Sequence, residues 1–197
     1  MVGALLDIMK SIEVDHQEYE DVLIKSRIQP ILNHFLTIDK NRELCGYVFY
    51  DNLFSLLFMC VGNRNAEKSQ GSKQRRKRGR IPDASYKVKY NDYKQQIVIA
   101  EVKTKEYNNA VKHPDFIKIA NMMKDEIDYM INTNCPHDLP VFGLLVSGRF
   151  VYILGMDLMY SGVYRLFDIG RCVLPTCIED LCVLDNTFKV MYHLEVN

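Results

Sequence analysis

The stretch IPDASYKVKYNDYKQQIVIAEVKTK, residues 81–105, decides how this sequence is interpreted. Residues 85–90 and 96–102 are both rich in β-prone side chains, and the polar pair Asn91-Asp92 separates them. Two such runs joined by a short polar turn are typical of an antiparallel strand pair. The second run ends in charge directly after four consecutive apolar residues, Ile97, Val98, Ile99 and Ala100. A continuous apolar run is typical of a strand that is covered on both faces.

Glu101 and Lys103 stand at the charged end of this strand, on one face, because side chains alternate across a strand. A strand that simply runs out into solvent is one interpretation of an isolated Glu-x-Lys. The apolar run favours a different one, since a carboxylate at a buried strand end needs a partner or a metal. Asp83 begins the preceding strand, and antiparallel pairing through a turn near Asn91 would bring it beside Glu101.

Two carboxylates at one point make a hard, oxygen-rich site of the kind that suits Mg²⁺ or Mn²⁺. A metal there could lower the pKa of a bound water and neutralise charge that builds on a phosphodiester. Lys103 could orient or activate the attacking water and stabilise the anionic transition state. The residues therefore predict Asp83 and Glu101 as metal ligands and Lys103 as a catalytic residue.

At these positions the sequence resembles the PD-(D/E)xK nuclease superfamily: Pro82-Asp83 matches the PD and Glu101-Val102-Lys103 matches the ExK. The resemblance covers most of residues 16–155, and the chain also looks like stand-alone fungal members of that fold. It implies an α/β protein with a restriction-endonuclease-like core, a central mixed β-sheet flanked by helices, here with an extra C-terminal helix. Val102, the middle residue of the Glu-x-Lys, is also a candidate metal ligand.

Family members often carry one more acid on the first helix and a Gln or Lys on the crossover helix. Glu20 is our choice for that acid, with Glu18, Asp21 and Glu43 as competitors, and an ordinary solvated helix acid is the alternative. Lys118 is the nearest match on the crossover helix, where it would face the site and contact nucleic acid. A solvated lysine on the polar face of that helix is the alternative.

A strongly basic run lies just before Asp83, within residues 62–80, which contain no large apolar residue. We expect these residues to form a solvated, flexible loop. Such a run can bind phosphates without reading sequence, and it also looks like a nuclear-localisation signal. A solubilising loop is the third interpretation. The candidate phosphate-binding residues in it are Lys73, Arg75, Arg76, Lys77, Arg78 and Arg80. Tyr86, Tyr90 and Tyr93 could stack bases or simply pack in the strands.

The remaining pattern alternates helices and strands. An apolar stripe predicts a helix over 114–134, capped by Asp115 and formed by Phe116, Ile119, Ala120, Met123, Ile127, Met130 and Ile131. Residues 16–36 also look helical, with a kink or split at Pro30. Residues 44–61 are a strand plus helix or one buried helix. Strands are expected over 141–146, 150–154 and 162–167. A final helical pattern over 175–194 uses Ile178, Leu181, Leu184, Phe188, Met191 and Tyr192.

Composition sets the remaining limits. A chain of 197 residues suits one domain, 1–197, and 25 basic residues balance 25 acidic ones. No apolar run is long enough to span a bilayer, so no membrane partner is expected. The six cysteines lack zinc-site spacing and are expected to be reduced core thiols of an intracellular protein, nuclear rather than cytoplasmic because of the basic run.

Together these features predict a nuclease that uses Mg²⁺ or Mn²⁺ and acts on DNA in preference to RNA, with homodimerisation left open. One alternative is a nuclease fold without turnover that binds nucleic acid or another protein. The other is a nuclear interaction module whose basic run serves import only.

Overall fold

The computed structural model describes residues 20–31, 55–61, 79–90, 93–133, 140–160 and 162–196. Helix α1 begins with Glu20–Leu23, continues as a π-helical segment, Ile24–Ile28, and extends through residue 31. The two longer helices are α2, Phe116–Asn132, and α3, Leu184–Val196. The strands are β1 Ser55–Val61, β2 Ala84–Tyr90, β3 Tyr93–Lys103, β4 Val141–Ser147, β5 Phe150–Tyr160 and β6 Val163–Val173.

The strands form one sheet in chain order, β1 to β6. Every neighbouring pair is antiparallel except β3 and β4, which are parallel and are joined through α2. A parallel pair requires such a crossover, whereas antiparallel neighbours need only short turns. The predicted α/β class with a mixed sheet flanked by helices is therefore confirmed, as is the C-terminal helix.

Two apolar clusters cover the two faces of the sheet. On one face, α1 and α3 pack against alternate residues of the strands, including Val98, Ala100 and Val102 of β3. On the other face, α2 packs against the intervening positions, including Ile99. Since Glu101 and Lys103 alternate with Val102, they point toward the α2 face. The apolar run of β3 is thus covered on both sides, as its composition predicted.

Helix α2 presents most of its predicted stripe to the sheet. Ile119, Met123, Ile127 and Met130 are buried there. Ile131 was expected in this stripe, but its side chain is 38% exposed, and Met122 is buried instead. Successive residues lie about 100° apart around a helix, so Ile131 points about 100° away from the buried Met130 and is partly exposed.

Helix α1 contains Pro30 within residues 29–31, which are helical. Its irregularity lies directly upstream, where the Gln29 N–H donates to the Ile24 carbonyl in the π-helical segment. A proline removes one helical N–H donor, and wider π turns are one way a helix accommodates an interruption.

Strand β1 resolves part of the ambiguous stretch 44–61 as a strand, while residues 44–54 lie outside the described residues.

The C-terminal helical pattern is confirmed in part. Ile178–Val183 form a 3₁₀ helix before α3 begins. Ile178 and Tyr192 were expected on the buried side, but they are 43% and 57% exposed. The expectation of core thiols holds for Cys172, whereas Cys177 and Cys182 are exposed; all three are free. No helix of the described residues is long and apolar enough to cross a membrane.

Gly143 of β4 packs directly against the side chains of α2. A Cβ added there would lie 2.7 Å from Met123 Sδ and 3.2 Å from Ile119 Cδ1, both in fully buried side chains. We expect Gly143→Ala to lower the free energy of unfolding by about 1–3 kcal/mol, the usual cost of overpacking. Urea denaturation measures this change. In a Met123→Ala background the added methyl gains room, so its cost should shrink; an unchanged cost would locate the strain elsewhere.

Candidate active site

Asp83 is tied to β3 on both sides of Glu101. Its backbone N–H donates to the Ala100 carbonyl at 3.1 Å, and its Oδ2 accepts the Val102 N–H at 2.8 Å. Ala84, the first residue of β2, pairs with Ala100, and Asp83 stands just before this first paired residue. Its main-chain and side-chain hydrogen bonds hold it beside the two residues that flank Glu101. The charge of Asp83 raises the pKa of Glu101, so the two acids lie within electrostatic reach of each other.

Glu101 is completely buried, with an exposed fraction of 0%. Its Oε2 accepts a hydrogen bond from Lys118 Nζ at 2.5 Å, and its Oε1 has no hydrogen-bond partner among the described residues. Burial raises the pKa of Glu101 to about 8; the hydrogen bond from Lys118 lowers the pKa, and the charge of Asp83 raises it further. Glu101 therefore keeps a proton well into the neutral range unless a further cation stabilises the carboxylate.

Lys103 lies at the end of β3 among three oxygen atoms. Its Nζ is 3.0 Å from Glu20 Oε1, 3.1 Å from the Val102 carbonyl oxygen and 3.5 Å from Asp115 Oδ2. Burial lowers the pKa of Lys103, but the hydrogen bond to Glu20 and the charges of Glu20 and Asp115 outweigh this effect and raise the pKa overall. Lys103 is thus an ammonium ion at neutral pH.

Asp115 occupies the N-cap position of α2, as predicted, yet its side chain makes no capping hydrogen bond. Its carboxylate contacts Lys103 instead. The Asp115 N–H donates to His113 Nδ1 at 3.1 Å, and His113 Nε2 donates to the Val146 carbonyl of β4 at 3.0 Å. Both ring nitrogens are therefore engaged by the main chain, as a neutral imidazole allows. Burial lowers the pKa of His113, which favours that neutral form.

The site carries more negative than positive groups. Four carboxyl groups, those of Glu20, Asp83, Glu101 and Asp115, surround the two ammonium groups of Lys103 and Lys118. With these six groups ionised, the acids exceed the two lysines, and Arg80 adds a further positive charge beside the start of α2. Carboxylate and carbonyl oxygens are the donors that Mg²⁺ and Mn²⁺ prefer, and the buried, unbonded Oε1 of Glu101 is such a donor.

In the described part of the chain, no group of three or more His, Cys, Asp or Glu residues is placed to hold a metal ion together. Mg²⁺ commonly binds through one or two carboxylates and keeps several waters. Asp83 and Glu101 would be the two carboxylates that hold such a cation. Val102 and Glu20, the other predicted ligands, both contact Lys103 in this arrangement.

Of the basic residues predicted to bind nucleic acid, the structure describes only Lys118 and Arg80. Lys118 faces the site, as the resemblance implies, but its ammonium contacts Glu101; contact with nucleic acid stays a prediction. Arg80 Nη1 donates to the Lys118 carbonyl at 3.1 Å, so Arg80 lies beside the start of α2. The expected flexible loop falls outside the described residues over 62–78, and with it Lys73, Arg75, Arg76, Lys77 and Arg78.

The structure excludes one predicted role and adds two residues to the site. Tyr86 is 2% exposed, so it packs in the core and is not available to stack a base. The site also contains two residues that the sequence did not assign to it, His113 and Asp115. The signal for Asp115 was its helix-cap position, which correctly located the residue but not the direction of its carboxylate.

Comparison with known proteins adds no relative: no family model, no curated protein and no solved structure matches this chain. Any assignment of function therefore depends on the site and the order of the elements.

Proposed function

We propose that this protein is a nuclease of the PD-(D/E)xK type that hydrolyses phosphodiester bonds with Mg²⁺ or Mn²⁺, in DNA rather than RNA. The observation that carries the proposal is the cross-strand register of β2 and β3. It pairs Ala84 with Ala100, the Val102 N–H donates to Asp83, and Lys103 lies one alternation beyond Glu101 on the same face.

The order of the elements supports the same proposal. A restriction-endonuclease-like core has a helix, a three-stranded meander, a crossover helix and a further strand. Here α1 precedes β1, β2 and β3, which pair as an antiparallel meander, and α2 leads to β4 parallel to β3. The candidate acids lie where β3 ends and α2 begins, a place where side chains from several elements converge.

The chain's own groups divide the work of the proposed reaction. A divalent cation held by Asp83 and Glu101 would neutralise phosphate charge and acidify a nearby water. Lys103 stays an ammonium, so it can orient water and stabilise the developing negative charge but not accept a proton. Glu20 and Asp115 hold that ammonium at the end of β3. Lys118 donates a hydrogen bond to Glu101 from the start of α2.

A second candidate is a nuclease fold without turnover that binds nucleic acid or a protein. Two observations favour it. The two lysines already pair with Glu20, Glu101 and Asp115. The described residues contain no group of three acids that could hold a metal ion. In such a protein the lysines would be permanent counter-ions of the acids. Nuclear location and dimerisation stay predictions under either function.

Incubation of the purified protein with supercoiled plasmid, single-stranded DNA and RNA tests the proposal. Cleavage with Mg²⁺ or Mn²⁺ that stops on addition of EDTA would support it, and faster loss of DNA than of RNA would support the substrate preference. Salt-sensitive DNA binding without cleavage would instead select the protein without turnover. If neither metal gives cleavage or thermal stabilisation, the catalytic proposal is wrong.

Replacement of Lys103 by Met should separate rate from metal binding. We expect cleavage to slow by about 10²- to 10³-fold, because one preorganised donor to the transition state is lost. Mn²⁺ affinity should stay equal or rise, since Glu20 and Asp115 lose a competing cation. Single-turnover cleavage and calorimetric titration with Mn²⁺ measure the two effects. Lys189→Met, which removes a surface lysine paired with Asp185, is the matched control. A proportional loss of Mn²⁺ binding in Lys103→Met would contradict the assigned role.

A further inference from the structure

Asp115 stands at the N-cap of α2 but does not cap it. An aspartate at this position normally accepts an N–H of the first turn, and losing that bond costs about 0.5–2 kcal/mol. Asp115 makes no such bond, and its Oδ2 lies 3.5 Å from Lys103 Nζ. The carboxylate has therefore turned away from the helix that it begins and toward the candidate active site.

The main chain around Asp115 is fixed from both directions. Its carbonyl accepts the Ile119 N–H at 2.9 Å in the first turn of α2, and its N–H donates to His113 Nδ1. His113 is 2% exposed and anchors this contact to β4 through the Val146 carbonyl. These bonds fix the main chain of Asp115 relative to the sheet, and the side chain therefore starts from a fixed position.

Two oxygen atoms remain without hydrogen bonds at this place. Asp115 Oδ2 and Glu101 Oε1 are both buried atoms with no hydrogen-bond partner among the described residues. Glu101 as a whole is 0% exposed, so water cannot hydrate its carboxyl group freely. The charge of Asp115 raises the pKa of both Glu101 and Lys103, which places it within electrostatic reach of each. The Lys103 ammonium lies 3.5 Å from Asp115 Oδ2, whereas Glu101 Oε1 has no partner among the described residues. A buried oxygen such as Glu101 Oε1 is costly unless a cation or donor satisfies it.

We propose that Asp115 is an additional acid of this site, which helps to hold the divalent cation across one water, and that His113 is the residue that positions it. This inference rests on the proposed metal-dependent function. No three acids of the described residues form a group that could hold a metal ion, so Asp115 would act without binding the cation directly. Glu20, by contrast, is 44% exposed in its side chain and contacts Lys103 from α1.

The test compares Mn²⁺ affinities of the full-length protein by calorimetric titration without nucleic acid. We expect Asp115→Asn to bind Mn²⁺ about 10- to 100-fold more weakly, the usual effect of losing an outer-sphere group of a metal site. Asn is itself a good N-cap, so the variant should fold; a thermal melt in EDTA verifies this. Asp185→Asn, which changes an exposed acid in the first turn of α3, is the matched control and should bind as the parent does.

The role of His113 is tested by a double-mutant cycle. His113→Asn can keep an acceptor for the Asp115 N–H, so it should weaken Mn²⁺ binding less than His113→Ala. The loss caused by His113→Ala should largely disappear in the Asp115→Asn background, because a positioning residue acts only through the group that it positions. Equal losses in both backgrounds would show that His113 acts by general stability instead.

The possible outcomes separate the role of Asp115 from the proposed metal-dependent function. If the parent binds Mn²⁺ and Asp115→Asn binds equally well, while Asp83→Asn does not, the role of Asp115 is wrong and the nuclease proposal stands. If the parent itself binds no Mn²⁺, the metal-dependent function fails, and the assignment of Asp115 fails with it.

Discussion

Replacement of Asp83 by Asn should reduce Mg²⁺-dependent cleavage to the background rate. Asp83 supplies one of the two carboxylates proposed to hold the cation directly, and it is hydrogen-bonded to the main chain of β3. Asn retains an oxygen that can accept the Val102 N–H, so β2 and β3 should stay in register. The charge needed by a hard divalent cation is lost while the hydrogen bond can remain.

The measurement is a plasmid-nicking time course at several Mg²⁺ concentrations, together with Mn²⁺ titration. Asp83→Asn should lose cleavage because it binds the metal weakly. A high metal concentration should therefore recover part of the cleavage rate, but not all of it. Asp185→Asn serves as the control, since its acid is exposed and paired only at the surface. Undiminished cleavage by Asp83→Asn would mean either a contaminating nuclease or a different site, and the proposal for Asp83 would be abandoned.

The sequence predicts the fold well where the signal is local. The alternation and apolar run of residues 85–102 locate β2 and β3, and the stripe around Ile119 and Met123 locates α2. Their antiparallel pairing follows from a short turn, so the approach of Asp83 to Glu101 could also be predicted. These features depend on neighbours in the chain and on one face being covered.

The finer arrangement of the site depends on side chains that arrive from distant elements. Lys118 contacts Glu101, and Asp115 contacts Lys103, only because the crossover packs the start of α2 against the end of β3. From the sequence alone, Lys118 could equally be a solvated lysine, and Asp115 could equally be a helix cap. Similarly, strand alternation predicts which face of the sheet Tyr86 lies on. It does not predict that Tyr86 is buried, because its burial depends on the apolar cluster that α1 and α3 form on that face.

The buried Glu101 should make the stability of the metal-free protein depend on pH. Its pKa rises from 4.5 in the unfolded chain to about 8 in the folded protein, chiefly through burial. The folded state thus holds the proton more tightly. The stabilisation is fully present below pH 4.5, is lost as pH rises, and is gone above about pH 8. At 1.36 kcal/mol per pKa unit, the loss is at most about 5 kcal/mol.

Glu101→Gln should remove this component. Gln stays neutral and can still accept the Lys118 hydrogen bond, while Lys118, whose side chain is 32% exposed, can be hydrated. Urea denaturation in EDTA at pH 5 and pH 8 gives the difference in unfolding free energy between parent and variant. This difference should shift in favour of the variant by several kcal/mol at the higher pH. Glu179→Gln, an exposed acid of the 3₁₀ helix, should show no such shift.

The same experiment with Mg²⁺ connects stability to function. A cation that binds the ionised Glu101 competes with its proton, so Mg²⁺ should stabilise the parent more at pH 8 than at pH 5. Glu101→Gln should gain little from Mg²⁺ at either pH, because the ligand charge is missing. If parent and variant share one pH profile, with or without Mg²⁺, then Glu101 is already neutralised by Lys118 alone. The pair would then be a structural ion pair and not a metal site.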